Sequence, residues 1–188
     1  MNLPSFDEGT AEDFKEKVEE LQSQGAKSLI IDLRNNGGGI VDEATEIADY
    51  ILKKGDTIIS TVDNTGEKEV TFSENKPIFN MSIVILVNEN TASASEILTA
   101  ALQDYDKATV VGTKTYGKGV IQTFFTLSDG SGLKITTAEY YTPKGSTIHE
   151  VGITPDKEVE LPDSIENIYA VSEKDDTQLK KAIEILSK

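Results

Sequence analysis

Apolar residues recur along this chain with two different periods, and the period switches several times. Phe14, Val18 and Leu21 fall at i, i+4 and i+7, one face of a helix. Thr10-Ala-Glu-Asp13 ahead of them fits a capping box, and Gly25 supplies a stop. Residues 28–33 form a short apolar run, read as a buried strand, which Asn35-Asn-Gly-Gly-Gly39 breaks. A second helix is predicted over 41–54, with Ala44, Ile47, Ala48 and Ile51 inward and Gly55 at its end. Residues 57–62 and 68–72 alternate like a hairpin with one wet face, across Asp63-Asn-Thr-Gly66. Residues 83–87 (IVILV) are the most hydrophobic strand and the expected sheet centre. A helix over about 93–105 and a strand over 109–111 follow. Residues 120–127 and 133–141 make a second candidate hairpin across Ser128-Asp-Gly-Ser-Gly132. The run 155–162 reads as an extended connector, and 175–188 as a helix with Leu179, Ile183 and Leu186 inward.

Alternating helix and strand signals mark an α/β fold class. At 188 residues the chain is expected to be one domain spanning 1–188, with no internal repeat. The net charge of −15 repels phosphate backbones, which argues against nucleic acid as a partner. There is no cysteine, so disulfides, iron–sulfur clusters, Cys-type zinc sites and a thiol nucleophile are excluded. The lack of thiols suits an oxidising compartment. The single histidine, His149, rules out a two-histidine metal site within the chain. No apolar run approaches the ~20 residues of a membrane span, and no signal-peptide pattern follows Met1.

Chemistry is concentrated in three small-residue turns at strand ends, where sites of α/β sheets commonly lie. In Asp32-Leu-Arg-Asn-Asn-Gly-Gly-Gly39 a strand runs into three glycines and then a helix. Such a turn offers backbone N–H groups to an anion or oxyanion, or is a flexible connection. It is not a G-x-G-x-x-G fingerprint, because Asp42 takes the last glycine position. Asn90-Thr-Ala-Ser-Ala-Ser-Glu96 follows the central strand. A serine there is either a nucleophile or an N-cap, and composition does not separate Ser93 from Ser95. In Thr115-Tyr-Gly-Lys-Gly-Val-Ile-Gln122 a lysine stands between glycines. A desolvated lysine acts as a general base; a solvated one is a turn residue. The even spacing of Lys118 and Gln122 puts both on one face if the strand includes them. A Ser-His-Asp triad would have to use His149, whose surroundings show no triad-like turn.

In order and spacing these motifs together resemble the catalytic core of the C-terminal processing peptidases, or tail-specific proteases. Thr142-Pro-Lys-Gly145 to His149-Glu-Val-Gly-Ile-Thr-Pro-Asp156 and Asp175-Asp-Thr-Gln-Leu179 agree, so the resemblance covers nearly the whole chain. It implies a crotonase-like core of layered β-sheets with packed helices. It implies a Ser–Lys dyad with Ser93 as nucleophile, Lys118 as general base 25 positions on, and Gln122 positioning the lysine. The oxyanion hole then combines the N–H of Ala94 with that of Gly38 or Gly39, Gly38 being favoured. Ser95 becomes a small helix-start residue and His149 has no role in the dyad.

For Lys118 to work near neutral pH its pKa must fall several units from ~10.4, and local burial is expected to do this. No metal or organic cofactor is implied. The implied substrate is a protein or peptide with an accessible C-terminus, cleaved through an acyl-enzyme outside the cytoplasm, often in a bacterial envelope. Family members usually carry a PDZ domain before this core, and too few residues precede Asp32 to hold one here. Gly37 stands where the motif usually has proline, which is expected to loosen the loop. The alternative is a silent or non-proteolytic module binding peptides or lipophilic ligands; retention of Ser93, Lys118 and Gln122 favours catalysis. The apolar face of the last helix fits either the core or a second copy of the chain, as in a homo-oligomer.

Overall fold

The computed structural model describes residues 1–75, 81–162, 165 and 168–187. Helix α1 (Thr10–Ser23) leads into β1 (Ser28–Asp32), α2 (Val41–Ile51) and the strands β2 (Thr57–Asp63) and β3 (Lys68–Phe72). Strand β4 (Ser82–Val87), helix α3 (Ala94–Asp104) and β5 (Ala108–Gly112) follow, then β6 (Val120–Thr126) and β7 (Gly132–Tyr141). The chain closes with β8 (Lys157–Glu158) and α4 (Thr177–Leu186). The strands sort into a parallel sheet, ordered β1-β4-β5-β8, and an antiparallel sheet, ordered β3-β2-β7-β6.

The pattern of 83–87 explains its place. β4 lies between β1 and β5 with parallel neighbours at both edges, helices cover both of its faces, and every residue from Ile83 to Val87 is buried. Ile83, Ile85 and Val87 face a core shared with Phe14 and Val18 of α1, Ile47 and Ile51 of α2, and Leu98 of α3. Val84 and Leu86 face the other way, onto Ala182, Leu179 and Leu186 of α4. Helix α3 is buried from Ala94 through Leu102, which fits a helix with neighbours on all sides. Its Ala94, Leu98 and Leu102 join the core of the parallel sheet, while Ile97 and Ala100 pack with Ile59 and Tyr140 of the antiparallel sheet.

Several expected details change. The capping box at Thr10 does not form: Gly9 caps α1 in a left-handed conformation, and Thr10 Oγ1 accepts the Asp7 N–H. The orphan amides of Gly9 and Ala11 donate instead to the carboxylate of Glu43 on α2, at 2.9 and 2.7 Å. Helix α2 ends at Ile51 rather than at 54. The connector at 155–162 carries a short strand, because Lys157 and Glu158 pair with β5. In α4 the inward face holds Leu179, Ala182, Ile185 and Leu186, whereas Ile183 is 48% exposed. Lys188, the last residue of the helix expected there, lies outside the described residues.

Candidate active site

The turn after β4 lifts Ser93 into a position few side-chain-bearing residues adopt. Ser93 sits at φ 60°, ψ −120°, immediately before α3. Such a backbone is strained for a residue with a Cβ and persists only where its surroundings hold it. Here they do. Thr91 Oγ1 donates to the Leu33 carbonyl at 2.8 Å, and the Ala92 N–H donates to the Asn36 carbonyl at 3.0 Å. Ser95 Oγ donates to the same Asn36 carbonyl at 3.0 Å and is fully buried, while Ser93 is half-buried. Burial thus separates the two serines that composition leaves equivalent.

The glycine loop lies against this turn. A Cβ on Gly38 would stand 2.8 Å from Ser93 Cβ and 3.0 Å from Ala94 N, so only glycine allows the approach. The loop is fixed from both sides. Asn36 Nδ2 donates to the Leu3 carbonyl, and the Phe6 N–H and carbonyl bond to the Gly38 carbonyl and Ile40 N–H. Asn35, also at positive φ, accepts from Asn88 and Asn90. The Gly38 N–H, favoured from the sequence as an oxyanion donor, already donates to Asn36 Oδ1 at 2.8 Å. Neither Gly39 N–H nor Ala94 N–H has an acceptor among the described residues. At Gly37 φ is not positive and a Cβ would meet nothing within 4 Å.

Glu96 joins the third motif to the second. It is completely buried and its carboxylate accepts four hydrogen bonds. Oε1 takes the Thr115 hydroxyl at 2.6 Å and the Gly117 N–H at 2.7 Å. Oε2 takes the Ser93 N–H and the Lys118 N–H, both at 2.9 Å. Two backbone nitrogens bonded to one oxygen lie no further apart than twice that distance. Ser93 and Lys118 are therefore neighbours through Glu96, a residue that sequence reading left without a role. Its trace was the Ser93-Ala-Ser-Glu96 spacing, a capping-box signal that marks the end of a helix and says nothing of a second loop.

The side chains of Lys118 and Gln122 are exposed, and Lys118 makes no ion pair among the described residues. The burial expected around the Lys118 ammonium is not present. The shared strand face does not form either. β6 begins at Val120, and a bulge between Ile121 and Gln122 shifts the register. His149 packs against this loop, where a Cβ on Gly119 would meet its backbone nitrogen at 2.3 Å. Its Nδ1 is buried without a hydrogen bond. Among the described residues no group of His, Asp and Glu could hold a metal ion, and no helix is long and apolar enough to cross a membrane.

A sequence profile of Peptidase family S41 matches residues 1–159. The chain belongs to peptidase family S41. A carboxyl-terminal-processing protease of Synechocystis sp. is 40% identical over 187 residues, covering all of this S41 chain and 43% of the relative. A probable CtpA-like serine protease of Staphylococcus epidermidis is 40% identical over 164 residues, covering 86% and 33%. The solved photosystem II D1 C-terminal processing protease superposes with a TM-score of 0.80 at 36% identity, over 86% of this chain and 42% of that one. The S41 chain thus spans less than half the length of these relatives. The likeness bears out the mixed α/β fold class.

Proposed function

We propose that this S41 chain is the catalytic core of a serine peptidase that cleaves protein substrates near their C-termini. Ser93 Oγ attacks the scissile carbonyl, and Lys118 Nζ takes its proton and returns it to the leaving amine. Water then releases the acyl group from Ser93. Gln122 orients Lys118 when substrate is bound. The Ala94 and Gly39 N–H groups receive the oxyanion; a donor of this kind is worth about 3–4 kcal/mol in other hydrolases. The single observation that carries this reading is Glu96 Oε2, which gathers the Ser93 and Lys118 N–H groups at 2.9 Å each. No metal or organic cofactor enters the scheme. The same reading puts the intact protein outside the cytoplasm, with a PDZ domain presenting the substrate tail.

The exposure of Lys118 favours a second reading. In it the chain is chemically complete but silent until bound substrate or further polypeptide covers the lysine. Both are tested with an unfolded protein carrying an apolar C-terminal tail, its products read by mass spectrometry. Cleavage by the chain, lost in Ser93→Ala and Lys118→Ala, is the expected result. Cleavage that survives both substitutions defeats the site. No cleavage by the chain, with cleavage by a longer protein that includes it, supports the silent reading.

A further inference from the structure

The arginine that opens the glycine loop is turned away from water. Arg34 is 5% exposed, and its guanidinium reaches three partners. Nε and Nη2 donate to the two carboxylate oxygens of Asp32 at 2.9 and 2.6 Å. Nη1 reaches Asp176 Oδ2 at 2.9 Å and Gln178 Oε1 at 3.0 Å. Burial disfavours the guanidinium charge, but Asp32 and then Asp176 outweigh it and raise the pKa above its ordinary value. Asp176 is also the N-cap of α4, where its side chain accepts the Leu179 N–H at 2.8 Å. One buried carboxylate therefore starts α4 and grips the residue that starts the glycine loop.

Asp32 alone neutralises Arg34. The Met1 ammonium, which donates to the Ile30 carbonyl and is attracted by Asp32, balances the second carboxylate. Asp176, unlike Asp32, ties Arg34 to a separate element, and that geometry fits a role in placement. The chain between Arg34 and the site is short and tied at several points. The Arg34 N–H donates to Asp32 Oδ1, the Asn36 N–H to the Leu33 carbonyl, and the Gly38 N–H to Asn36 Oδ1. Asn36 in turn holds Ala92 and Ser95 beside Ser93. The matched family segment ends at residue 159, before α4 begins.

We propose that Asp176 is a positioning residue that acts through Arg34, so that the docking of α4 sets the glycine loop and with it the rate at which Ser93 is acylated. The proposal rests on the Ser–Lys reading above. Asp176→Asn keeps an oxygen for the Leu179 N–H and removes the charge that pairs with Arg34. In this variant the Gly38 and Ala92 amides exchange with solvent deuterium at least about tenfold faster, the loss of one charge-assisted bond. Labelling of Ser93 by a fluorophosphonate slows to a similar extent. Ile58→Val, which loosens the core elsewhere, moves neither readout. Where Asp176→Asn does not fold, Asp176→Ser keeps a helix-capping oxygen, removes the charge and gives the same test. Unchanged exchange at Gly38 and Ala92 overturns the link between α4 and the loop. Faster exchange with unchanged labelling overturns its part in the reaction. A wild-type chain with protected amides that never labels at Ser93, when a longer protein that includes it does not label either, overturns the Ser–Lys reading, and the catalytic half of this proposal with it.

Discussion

A carboxylate that accepts four hydrogen bonds in a water-free site cannot exchange an oxygen for an amide without cost. Glu96→Gln turns an NH₂ group toward two of the Thr115, Gly117, Ser93 and Lys118 donors. The expected loss is about 1–3 kcal/mol of stability, read from urea unfolding, with slower fluorophosphonate labelling of Ser93. Two adjacent glycines make an opposite pair of predictions. Gly38→Ala places a methyl 2.8 Å from Ser93 Cβ at a positive φ, and is expected to abolish labelling. Gly37→Ala meets open space and is expected to raise stability by about 0.4–1 kcal/mol, read from the same unfolding curves. The motifs around Ser93 and Lys118 were legible in the sequence through their order and spacing together, since each alone also fits an N-cap, a flexible connection or a solvated turn. The intrachain bond of the Gly38 N–H was not, because it turns on where the Asn36 side chain points. Nor was the exposure of Lys118, which depends on what lies across the loop rather than on the loop's own residues.

Helices and strands announced themselves by period, while their ends were decided by partners distant in sequence. The α1 cap comes from Glu43 on the next helix, which no local pattern records. β8 is two residues long, too short to show any period. Asp49 performs a similar service where β3 ends. Burial pushes its pKa up, but bonds from the Ser73 hydroxyl and the Asn75 and Glu74 amides outweigh it and leave the carboxyl below its ordinary range. A carboxyl more acidic in the folded state than in the unfolded adds stability that is complete above its unfolded pKa. That stability is lost as pH falls through the depressed folded value. Asp49→Asn is therefore less stable than wild type at neutral pH, and the gap closes as pH falls through and below the ordinary carboxylate range in acid unfolding followed by circular dichroism.

At the scale of the molecule, α3 fills the space between the two sheets and α4 covers the far face of the parallel one. The α/β class followed from the order of the elements. The division of strands into two sheets did not, since a strand's own residues carry no mark of which sheet it joins. Val84, Leu86 and Val111 are fully buried with α4 in place. Each such side chain contributes about 1.5–3 kcal/mol on burial. A chain ending at residue 174 is expected to bind an apolar-surface dye such as anilinonaphthalene sulfonate and to melt well below the full chain.

Helix α4 also follows every other described element in the order of synthesis. A growing chain on the ribosome can form both glycine-loop and serine turns before Asp176 has been made. Without Asp176, Arg34 has only Asp32 to hold it, and the loop beside Ser93 is not yet set. On the proposal that Asp176 sets the glycine loop, the order of synthesis delays completion of the site beside Ser93 until α4 has been made and has docked.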